Sequence, residues 1–260
     1  MIPKVIHYCW FGHNPLPDKA QQCIASWQKF LPDYEIKQWN ESNFDIHITP
    51  FVYEAYRLKK WAFISDYARF WILYNYGGLY FDTDVDVIRN MDSIIADGPF
   101  MGCEVTIWHK DYQIAPGLGI GAEPKMDVYK SILDLYEESH IIDERGWTDL
   151  HTKTVVLVAN SFFVKHGFVQ SEDKQIVKGI NIYPPDYFCP IKGGTSDIVI
   201  TPRTYTIHHY SGSWVEQERL QTLEEPFWTF WHLNNKQLLF RLRNLCYRYS
   251  FYFVKAISKL

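Results

Sequence analysis

Residues 61–86 read WAFISDYARFWILYNYGGLYFDTDVD, a run that combines a helix, a turn and a strand ending in spaced carboxylates. The apolar residues of 62–76 occupy nearly every face of a helical projection, which predicts a buried helix. The glycine pair at 77–78 ends this helix, and residues 79–81 form a short apolar strand. The stretch therefore predicts an α/β fold organised around one buried helix.

Three aspartates follow the short strand. Asp82, Asp84 and Asp86 share one face if the extended backbone continues, because side chains alternate with a period of two. Close carboxylates repel, and a divalent cation relieves that repulsion; oxygen ligands of this kind suit Mg²⁺ or Mn²⁺. For a bare DxD, an acidic surface turn is the commoner explanation, since such short motifs recur by chance.

Asp66 and Arg69 are the charged residues inside the predicted helix, and their spacing of three places them on the same side. Charged residues are rarely buried unless they are paired. Two explanations stay open at this point: an internal ion pair that braces the helix, or a pair that faces a site at the end of the strand.

The chain before this stretch predicts a strand at 4–11, a helix at 18–30 and a second strand at 34–39, which together form a βαβ unit with a parallel sheet. Nucleotide sites favour the carboxyl ends of such strands. Trp10 lies at that end, where its indole either stacks on a nucleobase or packs in the core.

The chain after the aspartates contains further signals. The segment APGLGIG at 115–121 removes side chains where a tight turn forms or a backbone approaches closely. Residues 125–139 predict a helix and residues 154–159 a short strand. In IHHYSGSW, at 207–214, two adjacent histidines point to opposite sides of a strand, so one of them can face the site.

Composition sets the broad class. The chain has 260 residues, a net charge of −4, 47% apolar residues and 17% aromatic residues, enough for one large globular domain. Its five cysteines show no CxxC spacing and predict reduced thiols in a cytosolic protein. No basic start followed by a long apolar region occurs near residue 1, so no secretory signal is expected. No run of about 18 uncharged apolar residues occurs either, so no transmembrane helix is expected.

The segment 226–260 differs from the rest of the chain. It contains six Lys and Arg and no Asp or Glu, so it carries +6 while the preceding 225 residues carry −10. Its aromatic bulk and uncompensated positive charge predict either a helical pair that closes the domain or, over 227–260, an appendage on an anionic membrane surface.

The chain resembles the DxD-containing glycosyltransferases of family 32, whose relatives include the glucosylating domains of the large clostridial toxins and bacterial capsule and lipopolysaccharide sugar transferases. The resemblance implies a GT-A type, Rossmann-like α/β domain at 1–225, with a mixed, mainly parallel central sheet, and a basic aromatic helical appendage at 226–260. The pieces that carry the resemblance occur in order: IPKVIHYCWFG at 2–12, SDYARFWILYNYGGLYFDTDVD at 65–86, the glycine-rich segment and following helix at 116–136, and IHHYSGSW at 207–214.

The resemblance also implies roles for individual residues. The implied metal ligands are Asp82, Asp84 and His209, the HYSG register favouring His209 over His208. The implied catalytic residues are Asp66, Arg69, Asp82 and Asp84. The implied donor contacts are Trp10 at the base, Gly12 beside it, Asp66 and Arg69 at the sugar hydroxyls, Asp82 between ribose and sugar, and Ser213 and Trp214 at the diphosphate.

The activity implied by the resemblance is a metal-dependent, retaining transfer of a sugar from a nucleotide-diphosphate donor, with a UDP-sugar expected, to a hydroxyl group. The expected cofactor is Mn²⁺ or Mg²⁺. The expected acceptor is a glycan or a lipid-linked oligosaccharide in surface polysaccharide synthesis, and no nucleic-acid partner is expected. The protein is expected to be cytoplasmic and peripheral at the inner face of the cell membrane.

Two alternative functions remain open from the sequence. FDTDVD also resembles the DxDx(T/V) loop of haloacid-dehalogenase-like phosphatases, which would make Asp82 a nucleophile, although that loop normally follows the first strand of its domain. The other alternative is a non-catalytic metal-binding or sugar-binding module. An EF-hand is excluded, because Val87 and Ser93 occupy the positions that need Gly and the bidentate Glu.

Overall fold

The computed structural model describes residues 1–106, 111–142, 154–191 and 197–211, all within one compact unit, Met1–Ser211. The predicted appendage at 226–260 and the predicted domain boundary before it lie outside the described residues. Within the described ranges, no helix is long and apolar enough to cross a membrane.

The described chain alternates helices and strands. The strands are β1 Val5–Cys9, β2 Glu35–Trp39, β3 Gly78–Tyr80, β4 Val85–Val87, β5 Phe100–Val105, β6 Tyr112–Ile114, β7 Ile120–Ala122, β8 Gln175–Val177, β9 Ile180–Tyr183 and β10 Thr206–His208. The helices are α1 Asp18–Phe30, α2 Pro50–Arg57, α3 Trp61–Tyr76, α4 Asp92–Ala96, α5 Asp127–Glu137, α6 Val155–Lys165 and α7 Pro185–Phe188, with a 3₁₀ turn at Pro116–Leu118.

The main sheet of the described residues has the strand order β2-β1-β3-β7-β5-β9-β8, with β6 paired to β5. Pairing is parallel between β1 and β2, between β1 and β3 and between β5 and β9, and antiparallel at the other contacts. Strands β1, β2, β3, β5 and β9 therefore run in the same direction. The predicted α/β class with a mixed, mainly parallel sheet is confirmed, and β1, α1 and β2 form the predicted βαβ unit.

Both faces of the sheet are apolar, because successive strand residues enter different clusters. Tyr80 and Met101 belong to a cluster formed with α2, α3, α5 and α6. Leu79 and Phe100 belong to a second cluster that includes Trp27 of α1 and residues of α7. Helices thus cover the sheet on both sides, as a mainly parallel sheet requires.

The predicted buried helix is α3, in which residues on nearly all sides are buried. Gly77 follows with a φ of 66° and Gly78 with a φ of 98°, left-handed values that favour glycine and end the helix. A Cβ on Gly78 would lie 2.6 Å from the carbonyl oxygen of Val5. Glycine therefore allows β3 to leave the helix and pair directly with β1.

His7 on β1 is buried as a neutral imidazole beside this turn. The indole N–H of Trp39 donates to its Nδ1 at 3.1 Å, so the protonated Nε2 donates to the Gly77 carbonyl oxygen at 3.0 Å. Burial lowers the pKa of His7 to about 4, against the opposing hydrogen bond to Gly77. The histidine therefore ties the helix end to β1 without a buried charge.

The short strand predicted at 154–159 is wrong, because this segment begins helix α6. Its β-branched residues favour a strand locally, but the Thr154 side chain accepts a hydrogen bond from the Leu157 N–H and caps a helix. Val155, Ala159 and Phe162 lie at helical spacing and are buried. Tertiary burial of that face decides the structure over local propensity.

Candidate active site

The predicted site residues meet at one edge of the sheet. Strands β1 and β3 are parallel neighbours, with His7 opposite Tyr80, so their carboxyl ends lie together. Trp10 follows β1, and Asp82 follows β3. Helix α3 packs on the same strands and presents Arg69 toward the end of β3.

Arg69 lies between two carboxylates. Its Nη2 is 3.1 Å from Asp66 Oδ1 and 3.2 Å from Asp82 Oδ1, while its Nη1 donates to Asp82 Oδ2 at 3.3 Å. Only 3% of Arg69 and 7% of Asp66 are exposed. The internal ion pair considered from the sequence is present, and the same guanidinium also reaches the first aspartate of the DxD motif.

Asp66 also joins α3 to α6. Its Oδ2 accepts the backbone N–H of Val155 at 3.0 Å, in the first turn of α6, where a helix favours negative charge. Burial raises the pKa of Asp66 to about 7, against the opposing effects of Arg69 and of this N–H. Both carboxylate oxygens therefore have protein donors.

Asp82 is oriented from two sides. The Tyr80 hydroxyl donates to its Oδ1 at 3.1 Å, next to the contact with Arg69. Burial alone lowers the pKa of Arg69, but Asp82, Tyr80 and Asp66 raise it overall, so the guanidinium stays charged. The side chain of Asp82 is 28% exposed, so it is the member of this cluster most open to a ligand.

The three aspartates do not share one face, and that expectation is wrong. Residues 83–84 form a turn, in which the Val85 N–H donates to the Asp82 carbonyl oxygen at 3.0 Å before β4 begins. The turn breaks the period of two. The carboxylates instead have three separate partners: Asp82 with Arg69, Asp84 with His208 and Asp86 with His209.

Asp84 is held by the last residue of β10, the antiparallel partner of β4, and by the segment that follows it. His208 Nε2 is 3.1 Å from its Oδ1, and the Ser211 N–H donates to its Oδ2 at 2.9 Å. Burial alone would raise the pKa of Asp84 and lower that of His208, but their mutual contact lowers the first and raises the second. The pair is therefore an ion pair at the edge of the site.

His209, the histidine favoured from the sequence as a metal ligand, is not the one that contacts Asp84, and its role as a ligand stays a prediction. His209 Nε2 lies 3.8 Å from Asp86 Oδ2 instead, and burial together with Lys19 lowers the pKa of His209. The antiparallel pairing of β10 with β4 places His208 opposite Val85 and so next to Asp84. The two neighbouring histidines thus serve two different aspartates.

No group of three or more His, Cys, Asp or Glu side chains converges on a metal position in the described part of the chain. The available donors nevertheless suit a cation. His208 Nδ1 and His209 Nε2 are buried without a hydrogen-bond partner, whereas buried polar atoms are normally satisfied. Asp82, Asp84 and these histidines are the residues that would hold Mn²⁺ or Mg²⁺, and the cation would supply positive charge at this edge of the sheet.

Gly117 is a site residue that sequence reasoning did not single out. A Cβ at this position would lie 2.1 Å from Asp82 Oδ2, and the Asp82 N–H donates to the Gly117 carbonyl oxygen at 3.2 Å. The glycine-rich run 115–121 was the available signal. Its backbone lies against the carboxylate, so the close approach predicted for this run is to Asp82.

Trp10 and Gly12 lie beyond β1 at the same edge. Trp10 is half-buried, and its indole N–H donates to the Asn14 carbonyl oxygen at 2.7 Å. Gly12 has a φ of 94°, and a Cβ there would lie 2.7 Å from the Trp61 indole. Their donor contacts remain predictions, as do those of Ser213 and Trp214, which lie outside the described residues.

Residues 17–101 match the family described as the glycosyltransferase sugar-binding region containing DXD motif. This range contains all of α3 and the run from Asp82 to Asp86. The resemblance found in the sequence is therefore confirmed for this part of the chain, which is similar to the DXD-containing sugar-binding region of glycosyltransferases.

Two relatives from Schizosaccharomyces pombe (strain 972 / ATCC 24843) are similar to part of the chain. Inositol phosphoceramide mannosyltransferase 3 is 30% identical over 102 residues, which cover 36% of this chain and 27% of the relative. Inositol phosphoceramide mannosyltransferase 1 is 30% identical over 111 residues, which cover 38% of this chain and 33% of the relative. The chain thus spans about a third or less of these curated relatives.

Two solved structures are also similar to this chain. PaToxG Glycosyltransferase is 19% identical with a TM-score of 0.47, covering 63% of this chain and 68% of that chain. A glycosyltransferase involved in the glycosylation of the major capsid of PBCV-1 is 12% identical with a TM-score of 0.44, covering 85% of this chain and 100% of that chain.

Proposed function

We propose that this protein is a metal-dependent glycosyltransferase that moves a sugar from a nucleotide-diphosphate donor to a hydroxyl of a glycan or lipid-linked oligosaccharide. The observation that carries the proposal is the cluster of Asp66, Arg69 and Asp82 beside the Asp84–His208 pair. Its aspartates and arginine lie within the range that matches the DXD family.

The proposed reaction retains the configuration at the anomeric carbon. The bond from this carbon to the diphosphate oxygen breaks, the acceptor oxygen bonds to the same face, and the acceptor proton passes to the departing phosphate. A bound divalent cation supplies charge neutralisation on the leaving diphosphate. Asp82 is the exposed carboxylate that would contact the donor. Arg69 orients Asp82, and Asp66 in turn pairs with Arg69.

The proposed classes of donor and acceptor rest on the family resemblance and on the names of the relatives. A UDP-sugar is the first candidate, and the names of the two mannosyltransferase relatives add a nucleotide-diphosphate mannose. Their names also contain a phosphoceramide, which supports a lipid-linked acceptor. A role in surface polysaccharide synthesis at the inner face of the cell membrane is part of the same proposal.

A hydrolysis screen tests the proposed donor chemistry without knowledge of the acceptor. UDP-sugars and a nucleotide-diphosphate mannose are incubated with Mn²⁺, Mg²⁺ or a chelator, and an aryl phosphate is included as a phosphatase substrate. Cation-dependent release of free sugar supports the proposal. Release of phosphate from the aryl compound alone would instead favour the phosphatase alternative.

Two variants make the screen specific for the metal position. Asp84→Asn should lower cation-dependent hydrolysis on the order of 10²-fold, because a group that stabilises leaving-group charge is lost. Asp86→Asn should leave most of the rate, since this aspartate pairs with His209 outside the Asp84–His208 pair. Full activity in Asp84→Asn would refute the metal assignment, and a loss confined to Asp86→Asn would move it to the other histidine.

The proposed membrane contact rests on the sequence of 227–260, with its aromatic residues and uncompensated cations. Anionic lipids attract each nearby cation by about 1 kcal/mol, and salt screens this attraction. Sedimentation with anionic and neutral vesicles at low and high salt is the test. Equal binding after deletion of 227–260, or no binding of the full chain to either vesicle, would refute it.

A further inference from the structure

Residues 208–211 contact Asp84 through the His208 side chain and through backbone N–H groups. His208 contacts one carboxylate oxygen and the Ser211 N–H donates to the other, at 3.1 Å and 2.9 Å. The His209 N–H donates to the Asp84 carbonyl oxygen at 3.0 Å. The direction of the Asp84 carboxylate therefore depends on the exact course of this short segment.

Tyr210, in the middle of the segment, has a left-handed backbone with a φ of 48°. A residue with a Cβ adopts this conformation at a cost, and it persists where surrounding contacts impose it. The ring of Tyr210 packs edge-on against His208, with centroids 4.1 Å apart at 60°. The conformation thus places an aromatic ring on the histidine that pairs with Asp84.

The contacts that impose this conformation lie at the tyrosine hydroxyl. Although 47% of Tyr210 is exposed, its hydroxyl donates to Glu104 Oε2 at 2.6 Å and lies 3.1 Å from Cys189 Sγ. A hydrogen bond to a charged acceptor is among the stronger kinds.

Glu104 is in turn fixed to the sheet. It lies on β5 directly opposite Gln113 of β6, whose side-chain amide donates to Glu104 Oε1 at 2.7 Å. Both oxygens of the carboxylate therefore have donors. The tyrosine hydroxyl is anchored to a rigid strand pair and not to another loop.

We propose that Tyr210 is a positioning residue, whose hydrogen bond to Glu104 fixes residues 208–211 on Asp84 and so sets the direction of that carboxylate and of His208. The effect on catalysis rests on the proposed function, whereas the hydrogen-bonded arrangement of Tyr210 and Glu104 is independent of it. Loss of the bond frees the segment, weakens cation binding at Asp84 and slows sugar transfer, while nucleotide contacts made elsewhere are unchanged.

Hydrogen exchange of the protein without metal or donor tests the arrangement. Tyr210→Phe keeps the ring on His208 and removes only the hydroxyl, and it should speed exchange of the His209 and Ser211 amides by about tenfold, as loss of one charge-assisted bond predicts. Tyr205→Phe is the matched control, because this tyrosine bonds Ser93 at 2.8 Å and not Glu104. Equal exchange in Tyr210→Phe and wild type, or equal acceleration in the control, would overturn the proposal.

Variants of Glu104 provide an independent check that does not depend on how Tyr210→Phe folds. Glu104→Gln keeps an oxygen acceptor and should preserve slow exchange, whereas Glu104→Ala should match Tyr210→Phe. The double variant Tyr210→Phe/Glu104→Ala should exchange no faster than either single variant, because both remove the same bond. Fully additive acceleration would contradict a single Tyr210–Glu104 contact.

Steady-state kinetics separate positioning from general loss of structure. In Tyr210→Phe the Mn²⁺ concentration for half-maximal donor hydrolysis should rise about tenfold and kcat should fall, with the donor KM unchanged. A partly unfolded protein would lose kcat at an unchanged Mn²⁺ requirement, which would overturn the positioning role. If the wild type hydrolyses no donor, the proposed function fails, and hydrogen exchange still decides the role of Tyr210.

Discussion

Replacement of Arg69 by methionine should destabilise the protein strongly, because it leaves two carboxylates without their shared cation. Asp66 is 7% exposed and lies 3.1 Å from the guanidinium, and Asp82 lies 3.2 Å from it. Removing one partner of a buried ion pair typically costs about 3–5 kcal/mol. For a chain of this size, that loss corresponds to a fall in melting temperature of roughly 10 °C.

Thermal unfolding of matched variants measures this cost. Arg203→Met is the control, because Arg203 pairs with Asp186 at 2.7 Å but lies at the surface, where a pair is worth about 0–1 kcal/mol. The double variant Asp66→Asn/Arg69→Met removes the buried charge along with its partner and should recover much of the melting temperature. Its donor hydrolysis should stay low, since Asp82 remains without its orienting cation.

The reasoning would be refuted by a melting temperature of Arg69→Met within about 2 °C of the wild type, because the expected loss is several times larger. A fall of the same size in Arg203→Met would show that burial does not set the cost. Stability that the double variant does not regain would show that Arg69 acts through packing of its stem and not through the carboxylates.

Three further predictions concern single positions. Gly117→Ala should displace Asp82 and lower donor hydrolysis on the order of 10²-fold. Gly179→Ala is the control, because nothing lies within 4 Å of its added Cβ and it should affect stability alone. Equal activities of the two variants would contradict the close contact between Gly117 and Asp82. The pKa of His7 is lowered to about 4, so the unfolded chain takes up a proton at a higher pH than the folded protein does. The free energy of unfolding should therefore fall by up to about 3 kcal/mol as the pH is lowered from 6.5 to 4. Urea unfolding across this range should show a smaller fall for His7→Gln. Trp10→Ala should raise the donor KM more than it lowers kcat, and an unchanged KM with a lower melting temperature would assign the indole to packing.

The sequence alone predicted the elements whose signals are local. The buried helix α3, the glycine pair that ends it, the βαβ opening and the helix α5 follow from apolar periodicity and from glycine conformation, which act within a few residues. The grouping of Asp66, Arg69 and Asp82 at one strand end was also predictable, because helix and strand are consecutive. The prediction of a strand at 154–159 was wrong because its β-branched residues favour a strand, while burial of one face favours a helix.

The tertiary structure alone decided which side chains meet across the site. The turn after Asp82 separates the carboxylates, and the pairing of β10 with β4 brings His208 to Asp84 across more than 120 positions of sequence. The contacts of Asp66 with Val155 and of Tyr210 with Glu104 arise in the same way. Such contacts depend on the register and direction of packed elements, and a one-residue difference in strand register exchanges the side chains that face the site.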